Sequence, residues 1–185
     1  MNRSVWHHRL MPPPLLILPG YGDSGPQHWQ SLWERLLPGA LRVQQRDWEN
    51  PALDEWVAAL DAAIAACAGP PVLVAHSLGV SATVHWAARH HRPLRGALLV
   101  APPDLDSPEV PASCRSFAPT PRQRLPFRSI LVASRDDPYA AFEHSAQLAQ
   151  DWGSRLEDAG HTGHINSASG LGEWPWGQAL LRELL

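Results

Sequence analysis

Short runs in which every position is apolar alternate along the chain with longer stretches in which apolar residues recur every three to four positions. Leu15-Leu16-Ile17-Leu18, Val72-Leu73-Val74-Ala75, Gly96 to Ala101 and Ile130-Leu131-Val132-Ala133 are runs of the first kind. Each ends at turn-forming residues, which is the pattern of a strand buried on both faces. Leu41 to Arg46 reads as a weaker strand, and Arg155 to Glu157 as a short one. Between them Trp29, Leu32, Trp33, Leu36 and Leu37 keep helical spacing, with Asp23, Ser24 and Pro26 supplying helix-start chemistry. A second helix opens at Asn50-Pro51 and carries Leu53, Trp56, Val57, Leu60, Ile64 and Cys67 on one face. Others are predicted from Gly79 to about His91, from Tyr139 to Trp152 and from Pro175 to Leu185.

Strands that are apolar throughout and separated by helices predict a parallel sheet covered on both faces. The expected class is therefore α/β: a three-layer, doubly wound, mostly parallel sheet of about six strands. One stretch breaks the rhythm. Pro102 to Phe127 holds seven prolines and shows no periodicity, so it is expected to lie as a long irregular connection across the top of the sheet. Residues 1–14 are expected to form an extended lead-in, because Pro12-Pro13-Pro14 favours that conformation.

Composition narrows the function classes. A length of 185 residues with 44 % apolar and 18 % charged types predicts one globular domain. Net charge is -3, and all 15 basic residues are scattered arginines, which disfavours nucleic acid as a partner. Neither a signal-peptide core at Met1–Pro14 nor a membrane-length apolar run occurs. Cys67 and Cys114 stand apart with no Cys-x-x-Cys. A soluble, cytoplasmic protein without disulfide framework, metal or cofactor is the expectation. His161-x-x-His164 lacks a third ligand at a recognisable spacing. The loop after the first strand has neither a dinucleotide fingerprint nor a phosphate cradle, against a nucleotide or flavin binder.

The most informative residues are Ala75-His76-Ser77-Leu78-Gly79, directly after an apolar strand and directly before a helix. A serine on such a sharp strand-to-helix turn presents its hydroxyl at the sheet edge, and the positions two before and two after it must be small. Ala75 stands where a glycine is usual. A serine hydroxyl needs a base to take its proton, and the base needs an acid to orient it. In α/β hydrolases acid and histidine follow the serine in that order. Ser134-Arg135-Asp136-Asp137-Pro138 fills the acid slot and Gly160-His161-Thr162-Gly163-His164 the histidine slot. Pro138 biases Asp137 toward an extended departure from the strand, which favours it over Asp136, expected as a solvated neighbour. His161 and His164 both remain open, with His164 in the more shaped loop.

Pro19-Gly20-Tyr21-Gly22-Asp23-Ser24-Gly25 with His28-Trp29, the turn around Ser77, Ala101-Pro102-Pro103-Asp104, Phe117-Ala118-Pro119, Asp136-Asp137-Pro138-Tyr139, and Gly163-His164-Ile165-Asn166 through Trp174-Pro175 give the chain a family likeness. It resembles the small, lidless α/β hydrolases typified by retinoblastoma-binding protein nine and its bacterial relatives. The resemblance implies a minimal α/β-hydrolase fold without cap domain, with Ser77 as nucleophile, Asp137 as acid and His164 as base, acting on small esters or amides. The backbone N–H groups of Tyr21 and Leu78 are the expected oxyanion donors, such donors being worth about 3–4 kcal/mol each in the transition state. His76, Trp29 and Trp174 are the candidates for lining the substrate, against packing for His76, core packing for Trp29 on a helix face that already needs a core, and surface packing for Trp174. The alternative is a hydrolase scaffold acting mainly through a protein partner, to which the family's founding name refers.

Overall fold

The computed structural model describes residues 12–185. Of the expected lead-in, residues 1–11 lie outside the described residues. Six strands, β1 (Leu15–Leu18), β2 (Ala40–Arg42), β3 (Val72–His76), β4 (Gly96–Val100), β5 (Ser129–Ala133) and β6 (Arg155–Asp158), form one sheet in the order β2-β1-β3-β4-β5-β6. Every neighbouring pair is parallel, Leu16 standing opposite both Leu41 and Leu73. Among the described residues four helices link consecutive strands, α1 (Trp29–Leu36), α2 (Leu53–Ala65), α3 (Leu78–Arg89) and α4 (Phe142–Trp152), and α5 (Pro175–Arg182) follows β6. The fold is a minimal α/β hydrolase. Among the described residues no helix is long and apolar enough to cross a membrane.

Alternate positions of the strands feed two separate cores, as the two-residue period of a strand requires. Leu16, Leu18, Leu73, Ala75, Leu99 and Leu131 meet α2, α3 and α4 on one face. Leu15, Ile17, Val74, Leu98, Val100 and Val132 meet α1 and α5 on the other. Both faces are dry, which is why the strands read as unbroken apolar runs. β2 is shorter than the expected Leu41 to Arg46: it ends at Arg42, which still stands opposite Ile17 in the ladder while its side chain pairs with Asp23 and Glu34.

Two further departures have local causes. α1 does not use Asp23 or Ser24 as its cap: His28 precedes it, and its Nδ1 accepts from the Gln30 N–H at 3.1 Å. Pro102 to Phe127 is irregular but not structureless. It contains a 3-10 turn over Ala112–Phe117, and Leu105, Val110, Cys114 and Phe117 are buried against Trp56, Leu78 and Ala82. His85 Nε2–H donates to the Phe117 carbonyl at 2.6 Å and ties the stretch to α3. These anchors have no period, so periodicity cannot reveal them.

Gly79 shows why the turn after β3 needs a glycine. A Cβ there would stand inside contact distance of the Leu18 carbonyl oxygen and 2.8 Å from that of Pro19, both backbone atoms that cannot swing away. Gly79→Ala is therefore expected to lower unfolding free energy by about 3 kcal/mol or more. Urea unfolding checks this, and a loss below about 1 kcal/mol would refute the close approach of β1 to α3.

Candidate active site

At the carboxyl end of the sheet three loops converge, each leaving a different strand. β3 turns into α3 at Ser77, whose φ of 54° and ψ of -121° lie outside the regions ordinary residues prefer. Such a backbone carries roughly 1–3 kcal/mol of strain and persists only where the surroundings hold it. Here Ser77 N–H donates to the Val100 carbonyl at 2.9 Å, and the Ser77 carbonyl accepts from Val80 N–H at 2.8 Å. The turn lifts the Ser77 hydroxyl into a cavity of about 420 Å³.

His164 reaches that hydroxyl from the loop after β6. Its Nε2 is 2.8 Å from Ser77 Oγ, and its Nδ1 lies 2.8 and 3.0 Å from the two carboxylate oxygens of Asp137. A carboxylate only accepts, so Nδ1 carries the proton and Nε2 presents a lone pair to the Ser77 O–H. The side chains of His164 and Asp137 are 9 % and 4 % exposed, so their contact is shielded from water. Tyr139 N–H donates to Asp137 Oδ1 at 2.9 Å, and the Tyr139 ring packs edge-on against the imidazole.

The neighbours take other places. His161 is exposed on the same loop and does not reach the serine. Asp136 is more than the expected solvated neighbour: its Oδ1 accepts from Ser134 Oγ and from Gly163 N–H, each at 2.8 Å. The Gly163 N–H and the Ser134 hydroxyl hold the Asp136 carboxyl below its ordinary range. It fastens the histidine loop to the end of β5. Among the described residues no group of three His, Cys, Asp or Glu side chains is placed to hold a metal.

Tyr21 and Leu78 both border the cavity. Leu78 opens α3, where a helix leaves its N–H groups without intrahelical acceptors. Among the described residues neither N–H has a hydrogen-bond acceptor. A Cβ on Gly20 would press 2.9 Å from Ser77 Cβ and 3.3 Å from Leu78 N, so only glycine lets the loop after β1 run this close. Arg42 fixes the same loop through Asp23 Oδ1 at 2.7 Å and the Ser24 carbonyl at 3.0 Å. Gln30 is a contributor that spacing did not single out. Its buried amide donates to the Leu18 and Val74 carbonyls and accepts from Ser24 Oγ, joining β1, β3 and the loop.

Of the residues expected to line substrate, His76 borders the cavity but Trp29 and Trp174 do not. Both indoles are buried in the core below, with ring centroids 4.8 Å apart, because α1 and the segment before α5 have a common apolar interior to fill. Pro103, Val110, Pro111 and Cys114 form an apolar wall instead, with Asp23, His28 and Asn166 on a more polar side. The Pro-rich stretch was the only signal for that wall.

A parallel sheet of this order with a serine, an imidazole and a carboxylate in hydrogen-bonded series defines the α/β-hydrolase class. Residues 15–183 match the family described as Serine hydrolase, and the chain belongs to that family. It is similar to a YdeN-like hydrolase from Pectobacterium atrosepticum, with 34 % identity, 92 % of this chain and 89 % of that one covered, and a TM-score of 0.83. The ydeN gene product of B. subtilis is 22 % identical, with 94 % and 98 % covered and a TM-score of 0.76. A monoacylglycerol lipase of Paleococcus ferrophilus has the same fold at 12 % identity, with 93 % and 95 % covered and a TM-score of 0.71. No curated protein sequence matches the chain.

Proposed function

We propose that the protein hydrolyses small esters or amides through an acyl-enzyme on Ser77. One observation carries this reading: Ser77 Oγ and His164 Nε2 are 2.8 Å apart, with Asp137 bonded to the far side of the same ring. His164 takes the hydroxyl proton as Ser77 Oγ attacks the substrate carbonyl, and Asp137 stabilises the imidazolium that forms. The N–H groups of Tyr21 and Leu78 bind the oxyanion. Collapse of the tetrahedral species expels an alcohol or amine, protonated by His164. Water then attacks the acyl-enzyme with His164 again as base, and the carboxylic acid leaves. The cavity of about 420 Å³ suits a compact substrate, its apolar wall of Val110, Pro111 and Cys114 favouring a hydrocarbon portion.

An alkyl fluorophosphonate tests the assignment directly. It is expected to form one adduct, located at Ser77 by peptide mass spectrometry, and none in Ser77→Ala. Equal labelling of the two proteins would overturn it.

A further inference from the structure

Two consecutive peptide carbonyls, those of His164 and Ile165, are each held by a ring N–H from another element. His76 Nε2 lies 2.9 Å from the His164 carbonyl oxygen, and Trp29 Nε1–H donates to the Ile165 carbonyl at 2.8 Å. The His76 and Trp29 side chains are 5 % and 1 % exposed, so water does not compete for either bond. A carbonyl only accepts, so the proton of His76 sits on Nε2.

The peptide they hold would not keep its shape unaided. Ile165 has a φ of 50°, a left-handed conformation that a β-branched side chain strongly disfavours. Strain of this kind survives only where contacts over-determine it. His76 is also the residue before Ser77, so its bond ties the serine's own peptide to the histidine's across 88 positions of sequence.

We propose that His76 and Trp29 are positioning residues, clamping the His164–Ile165 peptide so that the His164 imidazole stays aligned between Ser77 and Asp137. This rests on the reading of His164 as the base. Neither residue exchanges a proton with substrate. A catalytic group misplaced by about 1 Å loses around a hundredfold in rate, which sets the scale of what such a clamp protects. Burial, then the neighbouring His164 and His28, hold the His76 pKa well below the usual imidazole range. His76 therefore stays neutral and puts no positive charge beside the imidazolium formed during turnover.

The test combines kcat and KM for p-nitrophenyl butyrate per titrated site, the rate of fluorophosphonate labelling, and the downfield proton resonance of the His164 Nδ1–H bonded to Asp137. His76→Phe is expected to lower kcat and labelling rate about tenfold or more, with KM within about twofold, and to broaden that resonance or move it upfield. His76→Gln, which restores an N–H donor, recovers most of the loss, and Trp29→Phe acts in the same direction. A packing role alone would lower the melting temperature while leaving per-site rates and the resonance unchanged, and that result overturns the proposal. So does a Gln variant no better than Phe. Should His76→Phe fail to fold, the imidazole ¹⁵N shifts of the wild type decide: an Nε2-protonated, neutral His76 supports the clamp and an Nδ1-protonated one overturns it. A wild type that takes no label at Ser77 defeats the nucleophile assignment instead, while the resonance in Trp29→Phe still judges the clamp.

Discussion

Asp137→Asn is expected to lower kcat by about four decades with little change in fold, the loss seen when the acid of such a triad becomes an amide. The Asn carbonyl oxygen keeps the bond from Tyr139 N–H that Asp137 Oδ1 accepts at 2.9 Å, so the local backbone has no reason to move. The amide NH₂ then faces His164 Nδ1 and donates to it, which drives the imidazole proton onto Nε2. That proton points at Ser77 Oγ, 2.8 Å away, and the lone pair that should receive the serine proton is gone. Asp136→Asn is the matched control. Its carbonyl oxygen retains both acceptor roles, toward Ser134 Oγ and Gly163 N–H, and the activity stays within about tenfold. Steady-state hydrolysis of p-nitrophenyl butyrate, with circular dichroism as a check on folding, separates the two. If Asp136→Asn lost the four decades and Asp137→Asn did not, the acid would stand one residue earlier in the chain.

The central strands were legible because burial on both faces removes polar positions, and Val72–His76 and Ser129–Ala133 each sit within one residue of the apolar runs that predicted them. Edges were less legible. β2 is partly exposed and ends at Arg42, whose side chain pairs with Asp23 and Glu34, tertiary contacts that no local period encodes. Ser77, Asp137 and His164 could be proposed as a set because the turn around Ser77 forces small flanking residues, and because chain order limits where an acid and a histidine can follow. The choice between His161 and His164 depended on loop shape, fixed by Ser134, Asp136, His76 and Trp29 from three other elements. Trp29 is ambiguous in the sequence for the same reason. A tryptophan at the start of an amphipathic helix looks alike whether its indole points to a cavity or to a carbonyl 136 residues away.

Acid is expected to destabilise the fold in a window set by buried imidazoles, one that opens above the range where carboxylates titrate. His28 is 4 % exposed, and its pKa is lowered from 6.5 to about 4, by burial first and then by His164 and Arg42. His76 is shifted in the same direction for the same leading cause. Between pH 6.5 and about 4 the unfolded chain therefore holds a proton on each ring that the folded chain refuses. The stabilisation is complete above pH 6.5 and is lost as pH falls toward 4; for His28 alone it amounts to about 3 kcal/mol. Carboxylates held below their ordinary range, such as Asp61, Asp136 and Asp158, act in a lower window. Urea unfolding at pH 7, 5.5 and 4.5 should show the loss directly. His28→Asn removes the ionisation while keeping an acceptor for the Gln30 N–H at the start of α1, so the smaller side chain shifts stability by a constant amount. The slope against pH in that window should fall by roughly one proton, about 1.4 kcal/mol per pH unit. A slope equal to that of the wild type would mean that His28 is charged in the native protein, and the neutral pair of imidazoles behind His164 would have to be abandoned.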